Sequence, residues 1–140
     1  MSFRNIAEIA GSAMTAQSVR LNTIASNLAN ASTAASSEAD AYRARKPVFA
    51  ALAMRNGFES DQAGDRVQVL DVVESTEPLR RAYEPDNPMA NEEGIVFYPN
   101  VNSVAEMTDM MSASRAFETS VEVLSRVKSM QQSLLRMGQE

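Results

Sequence analysis

The sequence predicts a mainly α chain with a small β-rich insert: N- and C-terminal helices paired as a coiled-coil-like stem, with a β-hairpin middle segment. Three observations carry that reading. Apolar residues recur at helical spacing over residues 3 to 31, and again from about residue 103. Between them the pattern changes to that of strands. Four of the five prolines also fall between residues 78 and 99, where a helix could not continue. The chain thus divides into 1–31, an N-terminal helix, 32–102, a loop and β-rich insert, and 103–140, a C-terminal helix.

In the first helix, at about 100° per residue, Phe3, Ile6, Ala7, Ile9, Ala10, Ala13, Met14, Leu21, Ile24 and Leu28 fall within an arc of roughly 160°. That is wider than the seam of a two-stranded coiled coil. One broad face on a core gives such a width, and so do contacts with two or more neighbouring helices. Gln17 and Arg20 intrude on the arc. The stretch RLNTIASNLANAST, residues 20 to 33, also carries Asn22, Asn27 and Asn30. Asparagine is a poor helix former, because its amide competes with the backbone for hydrogen bonds. Asn30 suits a left-handed C-terminal cap. Asn27 lies inside the helix, at the border of the Leu21–Ile24–Leu28 stripe. An amide there can fix register against a neighbouring helix, at a cost in stability.

The segment ASTAASSEADA, 31 to 41, is small and polar and reads as a loop or weakly ordered. YRARKPVFAALAM follows, with a basic group and an apolar run, and then Asn56-Gly57, a tight-hairpin signal. RVQVLDVVES, 66 to 75, alternates at Val67, Val69 and Asp71, breaks alternation at Val72-Val73, and reads as a strand. The proline-rich stretch is extended segments and turns, with a short strand at Ile95 to Tyr98.

Ser103 and Glu106 have the spacing of a capping box at the start of the second helix. Met107, Met110, Phe117, Val121, Leu124, Val127, Met130, Leu134 and Met137 then recur mostly at gaps of three or four, and Gly138 is a natural stop. Such a helix is on the order of 50 Å long.

Composition narrows the function. The chain has no histidine and no cysteine, which removes the commonest general base, the usual soft metal ligands and the thiol nucleophile. Glu92-Glu93 and Asp109 are the carboxylates an enzyme reading would pair, but nothing in the sequence brings them together, and solvated surface charge accounts for them. No cofactor and no small-molecule substrate is implied. The net charge is −5 and the basic residues are scattered, the tightest group being Arg43, Arg45 and Lys46. A nucleic-acid partner is therefore not indicated. No run is long and apolar enough to span a bilayer, and the N-terminal residues lack the continuous apolar core of a secretory signal. Two apolar-faced helices around an insert of marginal size need partners. An assembly subunit satisfies that need, and so does a soluble helical adaptor or export chaperone.

TAQSVRLNTIASNLANAST, with its Asn27-Leu28-Ala29-Asn30 motif, resembles the N-terminal signature of the flagellar rod, hook and hook-filament axial proteins. NVNSVAEMTDMMSASRAFETSVEVLSRVKSM resembles the C-terminal half of that family's pattern, through Asn100-Val101-Asn102, Glu106-Met107 and Ala113 to Glu118. YEPDNPMANEEGIVFYPNVN is similar to the proximal rod branch, which the short length also fits. The family's usual glycine-rich turn before the first strand is replaced by SSEADAYRARK, and Phe117 stands where tyrosine is frequent. The resemblance implies a structural subunit of the basal-body rod, exported without a cleaved signal by the flagellar type III apparatus. It implies contacts with other copies and other rod proteins through the terminal helices. On this reading the packing residues are Leu21, Ile24, Asn27, Leu28, Asn30, Met107, Met110, Arg115, Phe117, Val121, Leu124, Val127, Met130 and Leu134.

Overall fold

The computed structural model describes residues 2–53 and 65–138. The order of elements is α1 (Phe3–Asn30), β1 (Arg45–Ala53), β2 (Asp65–Glu74), β3 (Arg80–Tyr83), β4 (Ile95–Tyr98) and α2 (Ser103–Met137). This is the expected architecture: two long helices joined by two antiparallel two-stranded sheets, β1–β2 and β3–β4. The Asn56-Gly57 turn lies outside the described residues.

The helices pack along each other, and the packing is antiparallel. The end of α1 and the start of α2 meet at the insert: Asn27 bonds the backbone of Arg45, and the neighbouring Ala44 N–H donates to Asn100, two residues before α2's cap. Further along, Arg20 Nη2 lies 3.2 Å from Asp109 Oδ1. Buried side chains of the stem are small, with Ala10, Ala16, Ile24, Ala113 and Val127 as its apolar members.

Both helix boundaries differ in detail from the sequence reading. α2 is capped by Asn102, not by Ser103. The Asn102 side chain accepts from the N–H groups of Val104 and Ala105 at 3.1 and 3.2 Å. Asn is as good an N-cap as Ser, and starting one residue earlier leaves Ser103 as the first helical residue. α1 does not end in a left-handed cap. Its cap residue Ala31 is right-handed (φ −57°, ψ −25°), and the Asn30 side chain instead donates back to the Ser26 carbonyl at 2.8 Å. The amide thereby makes a local back-bond to a carbonyl one turn earlier, inside the helix.

β1 and β2 pair from Arg45↔Glu74 to Ala53↔Asp65. A register shift between Val48 (opposite Asp71) and Phe49 (opposite Val69) leaves Leu70 as an extra residue. That bulge lies two residues before the Val72-Val73 break read from the sequence, and it puts Val72 in place of Asp71 on the face of Val67 and Val69. Val67, Val69 and Val72 oppose Ala51, Phe49 and Pro47, so the three valines share one face. The hairpin lies along α1: Val67 N–H donates to Ser12 Oγ at 3.2 Å, and Arg66 pairs with Glu8.

The small polar segment after α1 is ordered by pairing. Ala35 and Phe97 exchange two backbone hydrogen bonds of 2.9 Å. Ala35, Ala41 and Leu79 form a buried cluster against Phe97. The second sheet holds Val96, fully buried. Its turn needs Gly94, whose φ of +75° suits a residue without Cβ, and whose Cβ would sit 2.9 Å from Tyr83.

Candidate assembly surface

On α2 the residues turned toward α1 are Glu106, Met110, Ala113, Phe117, Ser120, Leu124 and Val127, each buried or half-buried. Their gaps alternate four and three, the spacing of a coiled-coil seam. Four of them, Met110, Phe117, Leu124 and Val127, belong to the stripe read from the sequence. Glu106, Ala113 and Ser120 do not, because a carboxylate, a methyl and a hydroxyl carry little hydrophobic signal. The alternating gap was the signal that could have found them.

The remaining members of the stripe lie outside the part of the seam that α1 covers. Met107, Val121, Met130 and Leu134 are exposed, as are Val104, Met111, Leu135 and Met137. Arg115 is exposed too. From residue 128 to 138 no residue is even half-buried. The uncovered apolar residues of α2 thus fall in two places: Met107, Met111 and Val121 on one flank of the seam, and Met130, Leu134 and Met137 where the seam and its other flank run on past α1.

α1 accounts for its own wide arc in a similar way. Ile24 is buried, while Leu21 and Leu28 are half-buried. Arg20, on the side facing α2, lies about 80–120° from Ser12 and Glu8, which face the hairpin. The second neighbour of α1 within the chain is therefore a hairpin, not a helix, and it covers the polar border of the helix. Phe3, Ala7, Met14 and Leu21, at the far edge of the arc, stay half-buried. Gln17 sits within the arc, and its Oε1 is buried without a hydrogen-bond partner among the described residues.

The junction between stem and insert is built on Asn27, 1% exposed. Its Nδ2 donates to the Arg45 carbonyl at 2.8 Å, and its Oδ1 accepts from the Arg45 N–H at 2.9 Å. The side-chain amide thus pairs with one residue of β1 as a neighbouring strand would. Tyr42 O–H also donates to Oδ1 at 2.9 Å, and its oxygen lies 3.1 Å from Ser26 Oγ. The partner of this amide is a strand, where the sequence reading placed a helix. A helix-border amide could be seen in the sequence, but a backbone partner 18 residues away could not.

The basic group is used locally. Arg43 donates to the carbonyls of Ser75 and Glu77 and pairs with Glu38, while Arg45 pairs with Glu74. Asp109 is engaged with Arg20, while Glu92 and Glu93 are exposed in a turn before β4. Among the described residues no group of three His, Cys, Asp or Glu is placed to hold a metal ion. No helix there is long and apolar enough to cross a membrane.

A helical stem with an uncovered apolar stripe and a polar clasp to its insert defines a subunit made for assembly. Residues 8–34 match the family described as "Flagella basal body rod protein", and residues 92–137 match "Flagellar basal body rod FlgEFG protein C-terminal". The chain is 48% identical to the flagellar basal-body rod protein FlgC of Escherichia coli O157:H7, and 46% identical to that of Salmonella typhimurium. Both matches cover 99% of this chain and all of the relative. The FlgC of Borreliella burgdorferi is 34% identical over 94% of each chain. The chain belongs to the FlgC family of flagellar basal-body rod proteins.

Proposed function

We propose that this chain is a structural subunit of the proximal rod of the bacterial flagellum, assembling through its terminal helices into a hollow shaft that transmits torque. The observation that carries this is the apolar surface of α2 that α1 leaves uncovered: Met107 and Val121 on one flank of the filled seam, and Met130 and Leu134 where α2 runs on past α1. Exposed apolar surface of this kind marks an interaction site. The partners on this reading are other copies of the chain and other rod proteins. Leu21, Ile24, Leu28, Met110, Phe117, Leu124 and Val127 hold the stem, Asn27 holds its junction with the insert, and Asn30 ties the last turn of α1. The named relatives are rod proteins, which supports this role over that of a helical adaptor. The same kinship, with a first helix that is amphipathic instead of continuously apolar, supports delivery by the flagellar type III apparatus with the N-terminal segment kept. Mass spectrometry of the rod-incorporated chain checks this; a cut near residue 20 refutes it.

The test of the surface is Val121→Asp and Leu134→Asp. Both side chains face water in the free subunit, so each variant should be made and should melt as the parent does. In cells whose only copy is the variant, the rod should fail and swimming should stop, because a charge buried in an apolar contact has no partner. Normal swimming with either variant would place that residue outside the assembly surface.

A further inference from the structure

Seven of the chain's nine methionines lie among the described residues, and five of those are on α2. Met107, Met111, Met130 and Met137 are 53%, 60%, 47% and 67% exposed; the first two lie with Val121 on one flank of the seam, and the last two lie with Leu134 where α2 runs on past α1. Met110, in the seam, and Met14, on α1, are half-buried. With no cysteine in the chain, thioethers are its softest two-electron reductants. We propose that the exposed methionines of α2 form an oxidation site for hydroperoxides, and that their conversion to sulfoxides bars the subunit from assembly. The inference rests on the assembly reading above.

The chemistry needs only the oxidant. The thioether sulfur attacks one oxygen of the peroxide, the O–O bond breaks and an S–O bond forms. The proton of the transferred oxygen passes to the departing one, which leaves as water or as an alcohol. Sulfur is oxidised by two electrons and the peroxide is reduced by two. The product is a polar acceptor on a face that must be buried against apolar neighbours, where an unpaired polar group is costly. Two such groups beside Val121 and two beside Leu134 disable both uncovered parts of the helix. Once the face is covered by a neighbour the sulfurs are shielded, so the site acts on the free subunit and spares the assembled one.

The experiment treats the purified full chain with hydrogen peroxide and follows each methionine by peptide mass spectrometry. Met107, Met111, Met130 and Met137 should oxidise about fivefold or more faster than Met110 and Met14. Met89, exposed on the insert, should oxidise with the fast group and serves as an internal control. Mixed with the other rod subunits of its own flagellum, the untreated chain should sediment in a high-mass assembly, and the treated chain should not. A chain carrying M107L, M111L, M130L and M137L should assemble after the same treatment, although Met89 is still oxidised. Leu is close to Met in volume, so these changes perturb packing little. If the fourfold variant does not assemble untreated, M107L/M111L and M130L/M137L should each give partial protection. Reduction of the oxidised wild type by a pair of methionine sulfoxide reductases, one per epimer, should restore assembly. Failure of the untreated chain to assemble overturns the assembly reading itself. Normal assembly of the treated wild type overturns only the oxidation site, as does loss of assembly in the treated fourfold variant.

Discussion

Asn27 serves three partners with one amide, so its replacement separates shape from hydrogen bonding. Asn27→Leu keeps the branching of the side chain and strands the Arg45 N–H and the Arg45 carbonyl, while the Tyr42 hydroxyl keeps Ser26 Oγ as a partner. Unsatisfied buried groups cost roughly 1–3 kcal/mol each before relaxation, so a loss of about 2–4 kcal/mol is expected in urea unfolding of the isolated chain. A loss below 0.5 kcal/mol, on the order of a neutral surface change, would show that the clasp contributes little. Asn30→Gly tests the other asparagine. With Ala31 right-handed, glycine gains nothing at this helix end and loses the bond to Ser26, so a smaller loss of about 0.5–1.5 kcal/mol is expected. Gln17→Leu should move the other way. It removes a buried acceptor that has no partner among the described residues, and the melting temperature should rise by several degrees. Sequence showed that Gln17 interrupts an apolar arc and that Asn27 stands at its border. It did not show which of the two is satisfied, because satisfaction depends on strands brought up by the fold.

The helices were legible as elements because apolar periodicity is a local signal, repeated over some 30 residues in each. The division of their surfaces was not. Phe117, Val121 and Leu124 all read as one stripe, yet Val121 is exposed while Phe117 and Leu124 are half-buried. A helix with a wide apolar face does not say which part its first neighbour takes. Leu124→Asp should therefore destabilise the isolated stem, seen as lost helical circular dichroism at moderate temperature, where Val121→Asp should not. The smaller sheet offers a test by pH. Tyr98 O–H donates to both Glu84 carboxylate oxygens, at 3.2 and 3.0 Å. That hydrogen bond, then burial, then the negative charge of Glu84 raise the Tyr98 pKa above the ordinary 10.0. A folded pKa raised above the unfolded one adds stability that is present below pH 10.0 and lost as pH rises through the folded value. Tyrosinate absorbance should show a component titrating above pH 10.0 that is missing in Tyr98→Phe.

At the scale of the whole molecule, stability is unevenly spread. The stem interior is largely alanine, with Ile24 and Val127 its only large buried aliphatics among the described residues. Residues 128 to 138 have no covering element there at all. A helix of that length without packing is marginal in water. Amide exchange on the isolated chain should find residues 130 to 137 nearly unprotected and residues 106 to 127 slowed, with 130 to 137 gaining protection on assembly. Strong protection at 130 to 137 before assembly would contradict an uncovered end.

The hairpin is fastened to α1 at two separated places, Arg45 on Asn27 and Val67 on Ser12. The anchors on the helix are fifteen residues apart, about 22 Å at 1.5 Å per residue. A ribbon held at one point swings about it. Held at two points that far apart, it resists rotation with a lever arm, and a sideways push on its free face reaches the helix as a couple. At Asn27 the two bonds to Arg45 share the load, so they must fail together and not one after the other. The polar border of α1, the least hydrophobic part of the helix, is thus where the insert behaves as a strut.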